Sequence, residues 1–162
     1  MTPGIGLRIG QGFDVHPFSD DATRPLVLGG VVVGGAPGLA GHSDADVLAH
    51  ALGDALLGAA GLGDLGKLFP DTDPQYAGAD SLRLLAEVVG RVAAAGLQPV
   101  NADCTVVAER PKLSPFVPQV VERLSVVLGA PVSVKATRGE GLGAIGRGEG
   151  IACLAVVLLH KS

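Results

Sequence analysis

Asp14 and His16 stand two apart in the stretch Gly12-Phe13-Asp14-Val15-His16. In an extended strand alternate residues point the same way, so these two share a face. His42-Ser43-Asp44-Ala45-Asp46 and His50 follow. Ser43 reads as a helix N-cap, and Asp46 three positions on completes an approximate capping box. Asp46, His50 and Asp54 then recur at i, i+4 and i+8, one stripe down a helix over 43–60. Val47, Leu48, Ala51, Leu52, Ala55 and Leu56 surround the stripe, and no Lys or Arg occurs between Arg24 and Lys67. Acidic and imidazole groups in such apolar company need a partner, because a buried unpaired charge is strongly destabilising. A divalent cation would serve. Asp14, His16 and His50 offer one carboxylate and two imidazoles, a set that suits zinc with one coordination position open. The plainer alternative is a strand carboxylate hydrogen-bonded to histidines with no ion. D-x-H alone is a weak signal; the H-S-D-x-D-x-x-x-H segment brings the metal reading level with the plainer one.

The elements that must position these groups follow from patterning. Residues 5–16 read as a first strand, with Gly10 and Gly12 allowing close backbone approach. Leu26 to Val33 reads as a second strand, hairpin-paired with the first. A glycine-rich loop over 34–41 delivers His42, and the segment from Gly61 to Gly66 ends the helix over 43–60. The loop from Leu62 to Pro74 concentrates carboxylates, which suit either polyol hydroxyls or ordinary Asx-turns. A second helix is expected over 79–95, starting at Asp80 or Ser81, and a strand over 97–108. Ser114 as N-cap and Pro115 at the first helical position open a third helix, to about Leu128. The strand end before it is a natural nucleotide or phosphate site, and equally an ordinary strand–helix junction. Strands over 131–137 and 151–160 flank a segment from Arg138 to Gly150. There six glycines interleave with two arginines and two glutamates. Such a run suits phosphate cradling, tight subunit packing, or both.

Composition narrows the classes. The chain has 162 residues, enough for one domain that buries about two-thirds of its surface. Hydrophobic residues make up 48%, charged residues 17% and aromatics 3%; mean hydropathy is +0.44. So lean a surface points to apolar faces shared between copies of the chain. The net charge of -4 and the absence of a basic stripe argue against nucleic acid, and the scarcity of aromatic platforms argues against single strands. Cys104 and Cys153 sit in apolar strand-like runs and read as core residues. No signal peptide is seen at the N-terminus, and no uncharged apolar run reaches about 18 residues, so no membrane span is expected. A cytoplasmic location is the default. No linker or repeat divides the chain, so residues 1–162 read as a single domain.

The stretches GFDVHPF, LVLGGV, GHSDADVLAHALGDALLGAAGLGDLGKLFPDTDP, GADS, ERPKL, VKAT and GLGAIGRGEGIAC run in order from residue 8 to about 160. Together they resemble the 2-C-methyl-D-erythritol 2,4-cyclodiphosphate synthase family of the non-mevalonate isoprenoid pathway. The resemblance implies an α+β subunit with a mixed β-sheet and helices on one face. It also implies a homotrimer with sheets around the three-fold axis and active sites at subunit interfaces. Asp14, His16 and His50 match zinc ligands, and His42 and Ser43 match residues that contact phosphate. Asp64, Gly66, Phe69, Pro70, Asp71, Thr72 and Asp73 match the methylerythritol pocket. Ala108, Glu109, Arg110, Pro111, Lys112, Leu113 and Ser114 match a cytidine-binding segment contributed by a neighbouring subunit. Thr137, Arg138, Gly139 and Glu140 match a phosphate-binding run, with Glu140 matching a ligand of a second divalent ion, Mg²⁺ or Mn²⁺. Arg147 and Glu149 match charged residues near a central cavity that can hold an isoprenoid diphosphate.

Two positions depart from the family pattern. Arg138 stands where relatives usually carry a second threonine that steadies the transferring phosphate. Ala144 stands where many have a phenylalanine facing the cavity. The implied activity is conversion of 4-diphosphocytidyl-2-C-methyl-D-erythritol 2-phosphate to the cyclic diphosphate with release of CMP. Because the nucleophile belongs to the substrate, Thr137, Arg138 and His42 would act by positioning and charge stabilisation. A zinc phosphodiesterase that hydrolyses a nucleotide diphosphate is a rival enzyme. A trimeric carrier of isoprenoid diphosphates with structural zinc is the non-enzymatic rival.

Overall fold

The computed structural model describes residues 6–162, so Ile5, the first residue of the expected opening strand, lies outside the described residues. Strand β1 spans Leu7–Pro17, followed by two short strands, β2 Leu26–Leu28 and β3 Val31–Val33. Helix α1 is Val47–Ala60 and the single-turn helix α2 is Leu65–Leu68; a 3₁₀ turn at Pro74–Tyr76 leads to α3, Ser81–Ala94. Strand β4 Leu97–Val107, helix α4 Val117–Leu128, strand β5 Val132–Thr137, the short helix α5 Gly143–Gly146 and strand β6 Gly150–Lys161 complete the chain.

The main sheet has the order β1-β6-β4-β5. β6 pairs antiparallel with both neighbours, whereas β4 and β5 run parallel, so the sheet is mixed and the fold α+β. α4 makes the crossover that a parallel pair requires. Alternation along β6 assigns the faces: Cys153, Ala155, Val157 and Leu159 are buried, while Leu154 and Val156 are exposed. The buried face meets the helices. The opposite face is bare and carries Leu7, Ile9, Phe13 and Val15 from β1 beside Leu154 and Val156 from β6.

The packing of α1 on β1 fixes the site. A Cβ placed on Gly10 would lie 1.9 Å from the Ala55 carbonyl oxygen, and one on Gly12 would lie 1.8 Å from that of Ala51. Only glycine permits this approach. Two strand residues thus register against one turn of helix, and the next strand residue on that face, Asp14, arrives beside His50.

Three expectations need correction. Leu26 to Val33 is two strands that pair with each other, not one strand paired with β1. Gly29 and Gly30, at φ of 57° and 73°, turn the chain between them, as a two-residue hairpin loop demands. Helix α1 starts later than Ser43: Ala45 has a φ of 54°, which no right-handed helix tolerates, and the N-cap is Asp46. α4 likewise starts at Val117. The Phe116 amide donates to the Leu113 carbonyl at 2.9 Å, closing a turn over Ser114 and Pro115, and the proline in the first helical turn is Pro118. The Gly61 cap, at φ 71°, and the Asp80 cap of α3 are as expected. Cys104 and Cys153 are free and buried in the core.

Candidate metal centre and active site

Asp14, His16 and His50 converge, with one donor atom from each lying within 4.8 Å of the others. Asp14 Oδ2 is 3.0 Å from His16 Nε2 and 3.1 Å from His50 Nδ1. The second ring nitrogens are held from behind. His16 Nδ1 donates to the Ala40 carbonyl at 2.8 Å, and His50 Nε2 lies 2.8 Å from Ser81 Oγ and 3.2 Å from Ser43 Oγ. A carbonyl can only accept, so His16 carries its hydrogen on Nδ1 and turns a lone pair toward Asp14 when neutral. Lone pairs of a carboxylate and an imidazole then face one another, an arrangement that calls for a cation between them. Hydrogen bonding to Asp14 raises the affinity of His16 for its proton, outweighing burial. Burial pushes the Asp14 carboxyl up, but hydrogen bonds and charge from the two histidines outweigh it and hold it at about 2. The donor set, the fixed outer nitrogens and the half-buried setting all fit a divalent metal.

Asp46 does not join this centre. Its carboxylate is fully buried and accepts from three backbone amides: Gly29 at 2.9 Å, Gly30 at 2.8 Å and Ala49 at 3.0 Å. It ties the β2–β3 hairpin to the start of α1. Burial pushes its carboxyl up to about 6, against the pull of those amides. Asp54, the third member of the stripe, is half-buried and accepts from the Leu65 amide at 2.8 Å. Its carboxyl is also raised by burial. So the three members of the stripe serve three tasks, and only His50 faces Asp14.

A cleft of about 350 Å³ opens in front of the cluster. It gathers the predicted Asp14, His16, His42, Ser43, His50, Gly66, Phe69 and Asp71. Asp54 and Tyr76 also line it, and neither was among the expected substrate contacts. Tyr76 stands edge-on to Phe69 with ring centroids 5.2 Å apart. Asp64, Pro70, Thr72 and Asp73 belong to the same loop but do not line the cleft. Asp64 caps α2 through the Lys67 amide, and Asp73 caps the 3₁₀ turn through Gln75, the Asx-type duties the plainer reading foresaw. His42 lies exposed at the rim, its Nε2 3.1 Å from the Asp73 carbonyl.

A second hollow of about 460 Å³ is lined by Ala108, Glu109, Pro111, Lys112, Leu113, Ser114, Ala136, Thr137 and Arg138. The predicted cytidine segment and the start of the phosphate run therefore meet at the ends of β4 and β5. Glu109 accepts from the Gly139 amide at 3.0 Å and lies 3.7 Å from Arg138 Nε. Arg110, Gly139, Glu140 and Arg147 do not line this hollow. Glu140 is exposed at φ 53°, apart from the Asp14 cluster, and Arg147 pairs with Glu149 at 3.1 Å. Both hollows open at the same end of the sheet but at opposite edges, β1 and β5. Three strand spacings, about 14 Å, separate those edges.

An α+β fold with a carboxylate–imidazole cluster that could hold a metal ion beside a cleft has the makings of a metal-dependent enzyme. The family model described as the YgbB family matches residues 7–160, and the chain belongs to that family, the family of the 2-C-methyl-D-erythritol 2,4-cyclodiphosphate synthases. It is 59% identical over 156 residues to the enzyme of that name from Symbiobacterium thermophilum, covering 94% of this chain and 98% of that one. To the Geobacillus kaustophilus enzyme it is 54% identical over 159 residues, covering 96% and 99%. Among solved structures, the bifunctional IspDF of Campylobacter jejuni matches at a TM-score of 0.93 and 44% identity. That match covers 99% of this chain and 44% of the longer protein. The CDP complex of IspF from Plasmodium falciparum matches at a TM-score of 0.83 and 33% identity, over 98% of each chain.

Proposed function

We propose that this chain converts 4-diphosphocytidyl-2-C-methyl-D-erythritol 2-phosphate to 2-C-methyl-D-erythritol 2,4-cyclodiphosphate and CMP. The observation that carries the reading is the Asp14–His16–His50 cluster at the mouth of the cleft, in a chain 59% identical to a synthase of that name. An oxygen of the substrate's 2-phosphate forms a bond to the β-phosphorus, and the bond from that phosphorus to the bridging oxygen breaks. CMP leaves with the electron pair. No protein nucleophile is required, so the residues bind, orient and stabilise charge.

Asp14, His16 and His50 would hold a divalent ion, which zinc suits best by donor type and which supplies Lewis-acid polarisation of a phosphate oxygen. His42, at the rim, would turn to a phosphate oxygen the N–H that it gives to the Asp73 carbonyl. Gly66, Phe69 and Asp71 give the methylerythritol unit a floor, and the half-buried Asp54 presents a carboxylate to its hydroxyls. Asp64, Pro70, Thr72 and Asp73 shape the loop around it. The hollow over Ala108 to Ser114 takes the cytidine, in keeping with the CDP held by the Plasmodium relative. Thr137 and Arg138 would meet phosphate oxygens there, with Gly139 beside them. Glu140 would hold a second ion, Mg²⁺ or Mn²⁺.

The two hollows lie too far apart in one subunit to grip one diphosphate. A neighbouring copy would bring its cytidine hollow to this chain's metal centre. The bare apolar face of the sheet supports a homotrimer closed around it, with Ile9 73% and Phe13 56% exposed in the single chain. Arg147 near the axis would offer its guanidinium to an isoprenoid diphosphate. No helix is long and apolar enough to cross a membrane among the described residues, and a cytoplasmic enzyme is the reading we adopt. The carrier alternative is not favoured, since it has no use for a cleft and a nucleotide hollow.

Incubation with the cytidyl substrate, followed by phosphorus NMR, tests the reaction. CMP plus a cyclic diphosphate is expected. An acyclic bisphosphate would instead indicate hydrolysis, and no turnover would favour the carrier.

A further inference from the structure

Behind His50 lies a pair, the buried Ser81 and the half-buried Asp44, that neither the cluster nor the cleft includes. Ser81, the first residue of α3, is 2% exposed. Its hydroxyl donates to Asp44 Oδ1, and its amide donates to Asp44 Oδ2 at 3.0 Å. The Asp46 amide adds a third bond to Asp44 Oδ1 at 3.1 Å. On its other side Ser81 Oγ faces His50 Nε2 at 2.8 Å. We propose that Ser81, oriented by Asp44, is a positioning residue that fixes the tautomer and the aim of the His50 ring. This rests on the metal-centre reading above.

The direction of each bond follows from counting hydrogens. An ionised Asp44 can only accept, so the single hydroxyl hydrogen of Ser81 points to it. Ser81 Oγ is left with lone pairs alone. Those lone pairs lie 2.8 Å from His50 Nε2, closer than the Ser43 hydroxyl at 3.2 Å, so Nε2 is the donor and the ring's remaining lone pair sits on Nδ1, the nitrogen 3.1 Å from Asp14 Oδ2. A serine free to rotate could present its hydrogen to Nε2 and leave Nδ1 protonated, which would block coordination. Asp44 removes that option. Ser43 Oγ, already an acceptor for the Ala45 amide at 3.2 Å, lies 3.5 Å from Ser81 Oγ and can give its hydrogen to the second lone pair. The chain Asp44–Ser81–His50 therefore has every donor matched. Outer partners of this kind are worth about 10–100-fold in metal affinity.

The test is Ser81→Ala, measured by zinc competition against a chromophoric chelator. The N-cap of α3 is Asp80, whose side chain accepts from the Leu82 amide at 2.9 Å, so the substitution leaves the helix start intact. About 10–100-fold weaker zinc binding is expected. A second measurement needs no variant. In the cobalt-loaded parent protein, the His50 Nε2 hydrogen should give a hyperfine-shifted proton signal that exchanges slowly with water, and Ser81→Ala should lose it to fast exchange. Zinc binding by Ser81→Ala within twofold of the parent, or no slowly exchanging signal in the parent, would overturn the proposal while leaving the metal centre standing. A parent protein that binds no zinc would overturn both.

Discussion

The two edges of one sheet are built to different standards. At the β1 edge, Asp14, His16 and His50 are half-buried, and both imidazoles are anchored through their far nitrogens. The helix behind them rests on glycines. At the β5 edge, Arg138 is 69% exposed and reaches Glu109 only at 3.7 Å. The first edge is assembled from the residues of a single chain. The second is open, and its charged side chains would gain fixed partners from a bound nucleotide or another subunit. On the proposed function, preorganisation would sit where charge must be concentrated on a phosphate, and adaptability where a larger group is recognised.

Substitutions can break this contrast in order of expected effect. His50→Ala should lose zinc and cut turnover at least about a hundredfold, since even outer partners of a ligand are worth that much; metal content and rate are read together. Gly12→Ala comes next. Its Cβ would meet the Ala51 carbonyl at 1.8 Å, forcing strand and helix apart. A loss of about 3 kcal/mol in unfolding free energy is expected, with weakened zinc binding, measurable by denaturant melts and chelator competition.

The pH dependence sharpens the contrast further. Hydrogen bonding to Asp14 raises the His16 proton affinity, and that proton competes with the ion. In the metal-free protein, the stabilisation from protonated His16 is complete below its unfolded value of about 6.5 and is lost as pH rises through the raised folded value. Zinc binding strengthens over the same rise. The Tm gap between zinc-loaded and metal-free protein should therefore widen from about pH 6 to about pH 8. Scanning calorimetry at both values checks it; a constant gap would remove His16 from the ligand set. Smallest of all, Arg138→Ala should change stability by less than about 0.5 kcal/mol, as for any exposed ion pair, while raising KM for the cytidyl substrate.

Much of the metal edge was legible in the chain. The spacing of Asp14 and His16 gave a shared face, and the helical placement of His50 gave the third donor. Asp46 was misread because its partners, the amides of Gly29 and Gly30, lie 17 and 16 residues away in a hairpin that reads as one strand. The two glycines that close that hairpin were themselves the signal. Ser43 reads as the cap with Asp46 as its capping-box partner, and only the positive φ at Ala45 shows that the cap is Asp46 itself. The link from Asp44 to Ser81 spans 37 residues and has no periodic signature. The cytidine segment was placed by its resemblance, for a strand end before a helix is common to many folds.

The contact of Gly10 and Gly12 with α1 bears on which ions the centre can accept. Where carbonyl oxygens of a helix rest directly on a strand, no rotamer adjustment can lengthen or shorten the gap. The backbone distance between Asp14 and His50 is then gauged by main-chain contact, so the part of ion discrimination that depends on it would survive repacking of the apolar side chains around it.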